Sequence, residues 1–249
     1  VHYSHIEETG VDGIVAWLRE LAERTARMIV EWERVGFVHG VMNTDNMSVL
    51  GLTIDYGPYG WIDNFDPDWT PNTTDASQRR YRFCHQPHVG MWNLVRLVEA
   101  LHLLVKDVPS LQEVLDHYTQ TLKRLRSEMM RAKLGLLTSD KQADELADMG
   151  QVESLFEGLE VVMRTVETDM TLFYRRLATI PTSMALAGDG AALAKRLADA
   201  YYPKPESNRS SGVNELSADA LGALGVWFRE YGARLKADGQ DDAVRFAAM

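Results

Sequence analysis

The chain has 249 residues, a net charge of −10 and a hydrophobic content of 45%. That length suits one or two domains with a sizeable core. The acidic balance argues against proteins that bind nucleic acid or anionic membranes, since these need a basic face. A single cysteine, Cys84, excludes an internal disulfide and a cysteine-rich zinc site. No apolar run is long enough to span a bilayer. From the acidic charge, the single cysteine and the lack of such a run, we expect a cytoplasmic protein that binds neither nucleic acid nor membranes.

Hydrophobic periodicity predicts a helix near the start of the chain, followed by a small β element. Residues 11–35 carry apolar side chains three and four positions apart, as one face of a helix does. Gly36 is a suitable residue to end that helix. The apolar segments 47–50 and 52–54 are predicted to form the two strands of a short hairpin, broken near Gly51.

The rest of the chain is predicted to be a long loop followed by helices. Residues 58–87 have no hydrophobic period and are rich in turn-forming and aromatic residues. Further helices are predicted over 88–106, 110–134, 138–149, 151–178, 189–201 and 217–236. A polar linker is predicted at 203–212. The expected fold class is therefore mostly α with a small β-hairpin.

Three side chains with oxygen atoms lie at the two ends of the predicted hairpin. Asp45 and Asn46 precede it, and Asp55 follows it. If the strands pair, Asn46 and Asp55 converge, with Asp45 beside them. A magnesium ion prefers oxygen ligands, usually one or two from the protein together with phosphates and waters. Each side chain alone is a common turn residue, but the set is typical of a site for a metal and a nucleotide.

A family resemblance is carried by the same stretch. HGVMNTDNMSVLGLTIDYGPYGWID, which begins at His39, resembles the signature of the selenoprotein O family of kinase-like protein adenylyltransferases. The later RYRFCHQPHVGMWNLVRLVEAL resembles the segment that follows it in that family. The similarity is dense over residues 30–105 and continues through the helical remainder. It is specific, because the Asp-Asn pair, the nine-residue gap from Asn46 to Asp55, and the Gln-Pro and Trp-Asn pairs occur together.

The resemblance implies both a fold and an activity. The fold is the C-terminal lobe of a protein-kinase-like fold, and the activity is transfer of AMP from ATP to Ser, Thr or Tyr hydroxyls of other proteins. Carried over residue by residue, Asp45 is the catalytic base and Asn46 a magnesium ligand. Asp55 is a magnesium ligand that also approaches the nucleotide. Manganese is the expected substitute for magnesium.

The resemblance also implies a division of the chain. In the family an N-terminal lobe supplies a phosphate-contacting lysine, whereas no glycine-rich loop on a strand and no lysine in a strand-like setting precede His39 here. We therefore expect residues 1–105 to be the kinase-like core of the C-terminal lobe and 106–249 to be a helical extension. The N-terminal lobe is expected to be absent from this chain, and the isolated chain is expected to be inactive.

The sequence is also compatible with two other functions. In related small-molecule kinases the loop reads His-Gly-Asp, but Val41 stands at the place of that aspartate and cannot accept a proton. One rival is therefore a phosphotransferase that moves the γ-phosphate with a shifted base, Asp45. The other rival is a pseudokinase scaffold without catalysis. The intact set of predicted metal ligands counts against the scaffold.

Overall fold

The computed structural model describes residues 2–136, 145–202 and 216–249. They divide into two compact units, of which the first comprises Val1–Trp61 and Pro67–Arg126. The second comprises Ile62–Asp66 and Ser127–Met249. The boundary between the units falls inside a helix, and the domain boundary expected at residues 105 and 106 stays a prediction. Among the described residues, no helix has both the length and the apolar character needed to cross a bilayer.

Most of the described residues are helical, and one small antiparallel sheet accompanies the helices. The α-helices are α1 Gly10–Val35, α2 Gln86–Leu101, α3 Val108–Lys133, α4 Glu145–Thr165, α5 Met170–Leu177, α6 Thr182–Ala187, α7 Gly190–Arg196, α8 Ala218–Asp238 and α9 Asp242–Ala248. The strands are β1 Phe37–Val38 and β2 Gly60–Trp61. The expected fold class, mostly α with a small β element, is confirmed at this level.

The first helix forms where the periodicity predicts it. Helix α1 buries an apolar face that includes Leu18, Ile29 and Trp32, and it packs against α2. It ends at Gly36, whose φ of 73° is the left-handed conformation typical of a helix C-cap. The chain then enters β1, which pairs antiparallel with β2. The sheet therefore closes the 39–59 segment at its two ends.

The predicted hairpin strands are wrong in their position. Segments 47–50 and 52–54 are turns and irregular chain, whereas the strands lie outside them, at β1 and β2. Gly51 has a φ of 65°, and its N–H donates to the carbonyl oxygen of Ser48 at 3.1 Å. The Ser48 hydroxyl also accepts from the N–H of Leu50. These local hydrogen bonds form a turn and interrupt the extended backbone that a strand needs.

The helix predicted over 151–178 is two helices, α4 and α5. Between them the backbone of Thr168 and Asp169 is extended and forms β-bridges to Tyr201 and Asn64. The Asp169 side chain then accepts from the N–H of Leu172 and caps α5. Periodicity does not show such a break, because both helices continue the same apolar spacing across it. The predicted linker at 203–212 and the first part of the predicted helix at 138–149 lie outside the described residues.

The core of the second unit is built around α8. This helix packs on α4, α6 and α7 and buries the stacked rings of Trp227 and Tyr231. Arg245 of α9 is only 1% exposed. Its guanidinium donates to the carbonyl oxygen of Ile180 at 2.5 Å and to the carboxylate of Asp242 at 3.0 Å. The buried charge is thus hydrogen-bonded and paired, which is the condition for burying it at acceptable cost.

The stability of the second unit is expected to fall in acid. Burial raises the pKa of Asp242, but hydrogen bonds from Thr182 and Arg245 outweigh burial, and the net pKa is lowered. A lowered folded-state pKa stabilises the fold above the unfolded-state value near pH 4, and that stability is lost as the pH falls. Asp242→Asn should therefore cost about 1–3 kcal/mol at pH 7 and progressively less in acid.

Urea unfolding between pH 3 and 7 measures this effect. Asp219→Asn, an exposed carboxylate in the first turn of α8, is the matched control. Parallel pH curves for wild type and Asp242→Asn would contradict the assigned pairing.

Candidate active site

A buried histidine joins the two halves of the predicted site. His39 is 1% exposed, and its Nε2 lies 2.8 Å from the carbonyl oxygen of Ile54. A carbonyl oxygen only accepts, so Nε2 carries the proton and donates. The other ring nitrogen, Nδ1, then accepts from the N–H of Val41 at 3.4 Å. His39 thereby fixes the start of the site loop against the residue that precedes Asp55.

The residues Asp45 and Asn46 lie on a single 3₁₀ turn, Thr44–Asn46. The N–H of Asn46 donates to the carbonyl oxygen of Asn43 at 3.0 Å. The Asn46 side-chain amide donates through Nδ2 to the carbonyl oxygen of Val41 at 2.9 Å. That contact fixes the orientation of the amide, because only its nitrogen can donate, so Oδ1 is left as an acceptor or ligand. Asp45 is exposed beside it.

Asp55 lies in a tight turn with an unusual backbone. Its φ is 60°, and its carbonyl oxygen accepts from the N–H of Gly57 at 2.7 Å. Few residues other than glycine adopt a positive φ, and aspartate and asparagine are the most tolerant of them. The side chain is exposed. Within the described ranges, no side chain pairs with the Asp55 carboxylate, so it is accessible to a ligand.

Buried amide side chains hold the backbone of the loop that leads to this turn. Gln86, at the start of α2, is fully buried; it accepts from the N–H of His39 at 3.0 Å and donates to the carbonyl oxygen of Phe37 at 2.9 Å. Asn93 lies two turns later on the same helix face and donates to the carbonyl oxygen of Met42 at 3.0 Å. Asn72 donates to the carbonyl oxygen of Gly40 at 3.0 Å. The loop backbone is thus held in place by the core.

The sequence did not assign a role to these amides. Gln86 and Asn93 belong to the Gln-Pro and Trp-Asn pairs of the family resemblance, but the residues alone do not say what they contact. The available signal is polarity in an apolar setting: Asn93 is a buried amide next to the buried Leu94 on the inner face of α2. Buried amides are nearly always hydrogen-bonded. Their partners are tens of residues away in the sequence, so only the fold identifies them.

Removing the Gln86 amide is expected to destabilise the first unit. Gln86→Met keeps the length of the side chain but leaves the N–H of His39 and the carbonyl oxygen of Phe37 buried without a partner. Each such group costs about 1–3 kcal/mol, so a loss of about 2–6 kcal/mol is expected for the two groups. Urea unfolding measures this loss, with the exposed Gln112→Met on α3 as the control. Equal stability of Gln86→Met and wild type would show that the amide contacts contribute nothing.

A series of hydrogen bonds runs from Asn46 to Ile54, the residue before Asp55, although not through the hairpin that the sequence predicts, and Asp45 lies beside Asn46 on the same turn. The contacts run from the Asn46 amide to Val41, from Val41 to His39, and from His39 to Ile54. In the described part of the chain, no three His, Cys, Asp or Glu side chains are grouped to hold a metal ion. The roles of the three residues as base and metal ligands stay predictions.

An open cleft of about 600 Å³ lies near this segment. Its lining is mostly apolar and aromatic and includes Trp32, Phe37, Leu52, Tyr56 and Trp61. Arg24, Arg27 and Arg34 of α1 also line it, together with Glu31, which pairs with Arg34. Neither the Thr44–Asn46 turn nor Asp55 lines the cleft, so it is distinct from the three predicted site residues.

Comparison with known proteins identifies relatives of the whole chain. The family described as "Protein adenylyltransferase SelO" matches residues 1–247. A protein nucleotidyltransferase YdiU of Rhodopirellula baltica is 44% identical over 238 residues, covering 93% of this chain and 40% of the relative. The protein of that name from Xanthomonas campestris pv. campestris strain B100 is 47% identical over 241 residues, covering 97% of this chain and 42% of the relative.

A relative with lower sequence identity matches a similar share of this chain. The protein nucleotidyltransferase YdiU of Flavobacterium johnsoniae is 40% identical over 233 residues, which cover 94% of this chain and 40% of the relative. The chain therefore spans about two fifths of the length of the curated relatives that it matches. The family match covers nearly the whole chain, and the resemblance stated from the sequence is confirmed. The chain belongs to the protein adenylyltransferase SelO family.

Proposed function

We propose that this chain carries the metal-binding half of a site that transfers AMP from ATP to Ser, Thr or Tyr hydroxyls of other proteins. The observation that carries the proposal is the His39–Ile54 hydrogen bond, which fixes Asp55 relative to the loop before Asp45 and Asn46. Family membership supports the same reaction class. The relatives are named as nucleotidyltransferases, and the acceptor class and residue roles belong to the proposal.

The donor atoms of this segment fit a magnesium ion carried by ATP. Asn46 has its Oδ1 left as a ligand, because its Nδ2 is engaged with Val41, and Asp55 offers an exposed carboxylate. Magnesium typically takes one or two such protein ligands and fills its remaining positions with phosphate and water oxygens. Manganese accepts the same ligands. When bound, the ion neutralises charge that develops on the phosphates.

Asp45 is proposed to act on the acceptor hydroxyl. The hydroxyl oxygen attacks the α-phosphorus of ATP, the bond from that phosphorus to the bridging oxygen breaks, and pyrophosphate leaves. The hydroxyl proton passes to the Asp45 carboxylate, which is exposed on the Thr44–Asn46 turn. Val41 stands where related kinases place their base, so Asp45 is the carboxylate of this loop that remains for the task.

Two parts of the chain are proposed to have different roles. Residues 1–105 are proposed to be the core of the C-terminal lobe of a kinase-like fold, and 106–249 to be a helical extension. The proposed site residues supply acidic and neutral oxygens, whereas ATP phosphates also need cationic groups and backbone donors. We propose that a further lobe supplies these groups and that the 249-residue chain is inactive without it.

Labelled ATP tests the proposed reaction. The chain, expressed with any natural flanking sequence, is incubated with a protein mixture, magnesium and ATP labelled at either the α- or the γ-phosphate. AMP transfer leaves only the α-label on protein, whereas a phosphotransferase leaves only the γ-label. A scaffold without catalysis leaves neither label. Label from the γ-position alone, lost on Asp55→Asn, would replace the proposal with its phosphotransferase rival.

A further inference from the structure

A cationic and aromatic surface lies beside the proposed site, and the proposed reaction does not use it. We call it the Arg80–Trp92 patch, and it consists of Arg79, Arg80, Tyr81, Trp92 and Arg96. The Arg80 guanidinium carbon lies 4.6 Å from the centroid of the Trp92 ring, and that of Arg96 lies 5.3 Å from it. Arg80 also lies 5.7 Å from the Tyr81 ring centroid. Trp92 is 41% exposed even though two arginines stack on it.

The loop presents Arg80 in a fixed position. The N–H of Arg80 donates to Asp75 Oδ1 at 2.9 Å, and the N–H of Tyr81 donates to Asp75 Oδ2 at 2.8 Å. On the other side, His85 Nδ1 lies 2.7 Å from the carbonyl oxygen of Arg80, to which it donates. The backbone of Arg80 is therefore held at both its N–H and its carbonyl group. An arginine in a solvated loop needs no such hydrogen bonds. Because the backbone at Arg80 is already fixed, less conformational entropy is lost when a ligand binds.

One hydrogen bond from the patch, and another from the residue next to Trp92, reach the loop that carries Asp45. The Tyr81 hydroxyl donates to Asn43 Oδ1 at 2.5 Å, and Asn43 is the residue directly before the Thr44–Asn46 turn. Asn93, the neighbour of Trp92 on α2, donates to the carbonyl oxygen of Met42. A molecule bound on the patch would therefore lie next to the turn that presents Asp45.

The local charge of the patch is opposite to that of the whole chain. Among the residues that the structure describes, no carboxylate lies within ion-pair distance of the guanidinium of Arg79 or Arg80, and Arg96 pairs with the exposed Glu99 at 2.8 Å. The chain as a whole carries a net charge of −10. A guanidinium that stacks on an aromatic ring keeps its N–H edge for a planar carboxylate, which it binds through two hydrogen bonds.

We propose that the Arg80–Trp92 patch binds an acidic segment of the acceptor protein, with Asp or Glu side chains close in sequence to the hydroxyl that receives AMP. This inference rests on the proposed function, because only a protein that receives AMP is an acceptor. The binding of an acidic segment to the patch does not depend on that function. The patch then selects hydroxyls by their acidic neighbours and places them near Asp45. Arg80 and Arg96 are specificity-determining residues in this scheme and take no part in the bond changes.

Peptide binding to the 249-residue chain tests the patch without any requirement for catalysis. One fluorescein-labelled peptide carries a central Ser flanked by Glu residues, and its partner carries Gln in place of each Glu. Fluorescence anisotropy should show tighter binding of the Glu peptide, weakened by salt. Arg80→Gln/Arg96→Gln should lower the affinity for the Glu peptide about tenfold, as expected for two charged surface contacts and their stacking on aromatic rings.

The control is Arg19→Gln/Arg175→Gln, which removes the same charge from exposed positions on α1 and α5. It should bind the Glu peptide as wild type does, and circular dichroism should show that both double variants are folded. Equal affinity for the two peptides, or an equal loss in the control, would overturn the proposal. A lower affinity for MgATP in Arg80→Gln/Arg96→Gln with unchanged peptide preference would also overturn it, because the patch would then bind nucleotide phosphates. Failure of AMP transfer by the chain expressed with any natural flanking sequence, together with intact peptide discrimination, would contradict the proposed function and leave the proposed role of the patch unaffected.

Discussion

Asp55→Asn is expected to lower AMP transfer by about a hundredfold or more, because it removes the charge of a proposed metal ligand. Asparagine keeps the size of the side chain and tolerates the φ of 60° at this position. The loss should therefore reflect charge rather than backbone conformation. Initial rates of α-label transfer at several magnesium concentrations measure the effect, on the chain expressed with any natural flanking sequence.

Two comparison variants sharpen the Asp55 result. Asp55→Ala removes the same charge but also strains the backbone by about 1–2 kcal/mol, since alanine disfavours a left-handed conformation. It should be at least as inactive as Asp55→Asn and less stable. Asp116→Asn removes an exposed carboxylate from α3 and should transfer AMP normally. Near-normal turnover of Asp55→Asn at saturating magnesium would refute the metal-ligand assignment.

Asp45→Asn is expected to reduce the chemical rate about a hundredfold while leaving the affinity for MgATP close to that of wild type. The change keeps the shape and hydrogen-bonding capacity of the side chain but removes the carboxylate that is proposed to take the hydroxyl proton. Asp45 is exposed on its turn, and the neighbouring Asn46, which is proposed to bind the metal, is unchanged. Single-turnover rates and calorimetric titration with MgATP separate the two quantities.

The opposite split would give Asp45 another role. If Asp45→Asn loses its affinity for MgATP but the rate with bound nucleotide is normal, Asp45 is a binding residue and another group accepts the proton. The control is the variant Thr44→Val on the same turn, which leaves both carboxylates in place.

The helices were predictable wherever local signals agreed with packing. Helix α1 combines a continuous apolar face with Gly36 at its end, and α8 begins after Ser217, whose hydroxyl accepts from the N–H of Ala220. The break between α4 and α5 was not predictable, because Thr168 and Asp169 leave the helix to pair with residues distant in the sequence. The predicted hairpin is wrong for a local reason, because the turn at Gly51 outweighs the strand preference of a short apolar segment.

The three candidate site residues were predictable from the sequence, but the residues that hold them in place were not. Asp45, Asn46 and Asp55 form a recognisable pattern because chemistry restricts the residue types that hold a metal and a nucleotide. The residues that position them, His39 and Gln86, act through hydrogen bonds to backbone groups. Many sequences supply such bonds, so the residue type alone carries little information. The partners of Gln86 follow from the packing of α2 against the loop, and the partner of the His39 ring follows from the path of the loop back to Ile54.

The proposed site requires that a divalent metal carried by ATP binds to Asn46 and Asp55, and this is the most direct point to test. Manganese in place of magnesium allows electron paramagnetic resonance to count the bound ions on the chain, expressed with any natural flanking sequence. With ATP present, wild type and the control Asp116→Asn should bind manganese equally, whereas Asp55→Asn and Asn46→Leu should each weaken that binding about tenfold or more. Equal nucleotide-dependent manganese binding in all four proteins would contradict the proposed site, because the metal would then be held elsewhere.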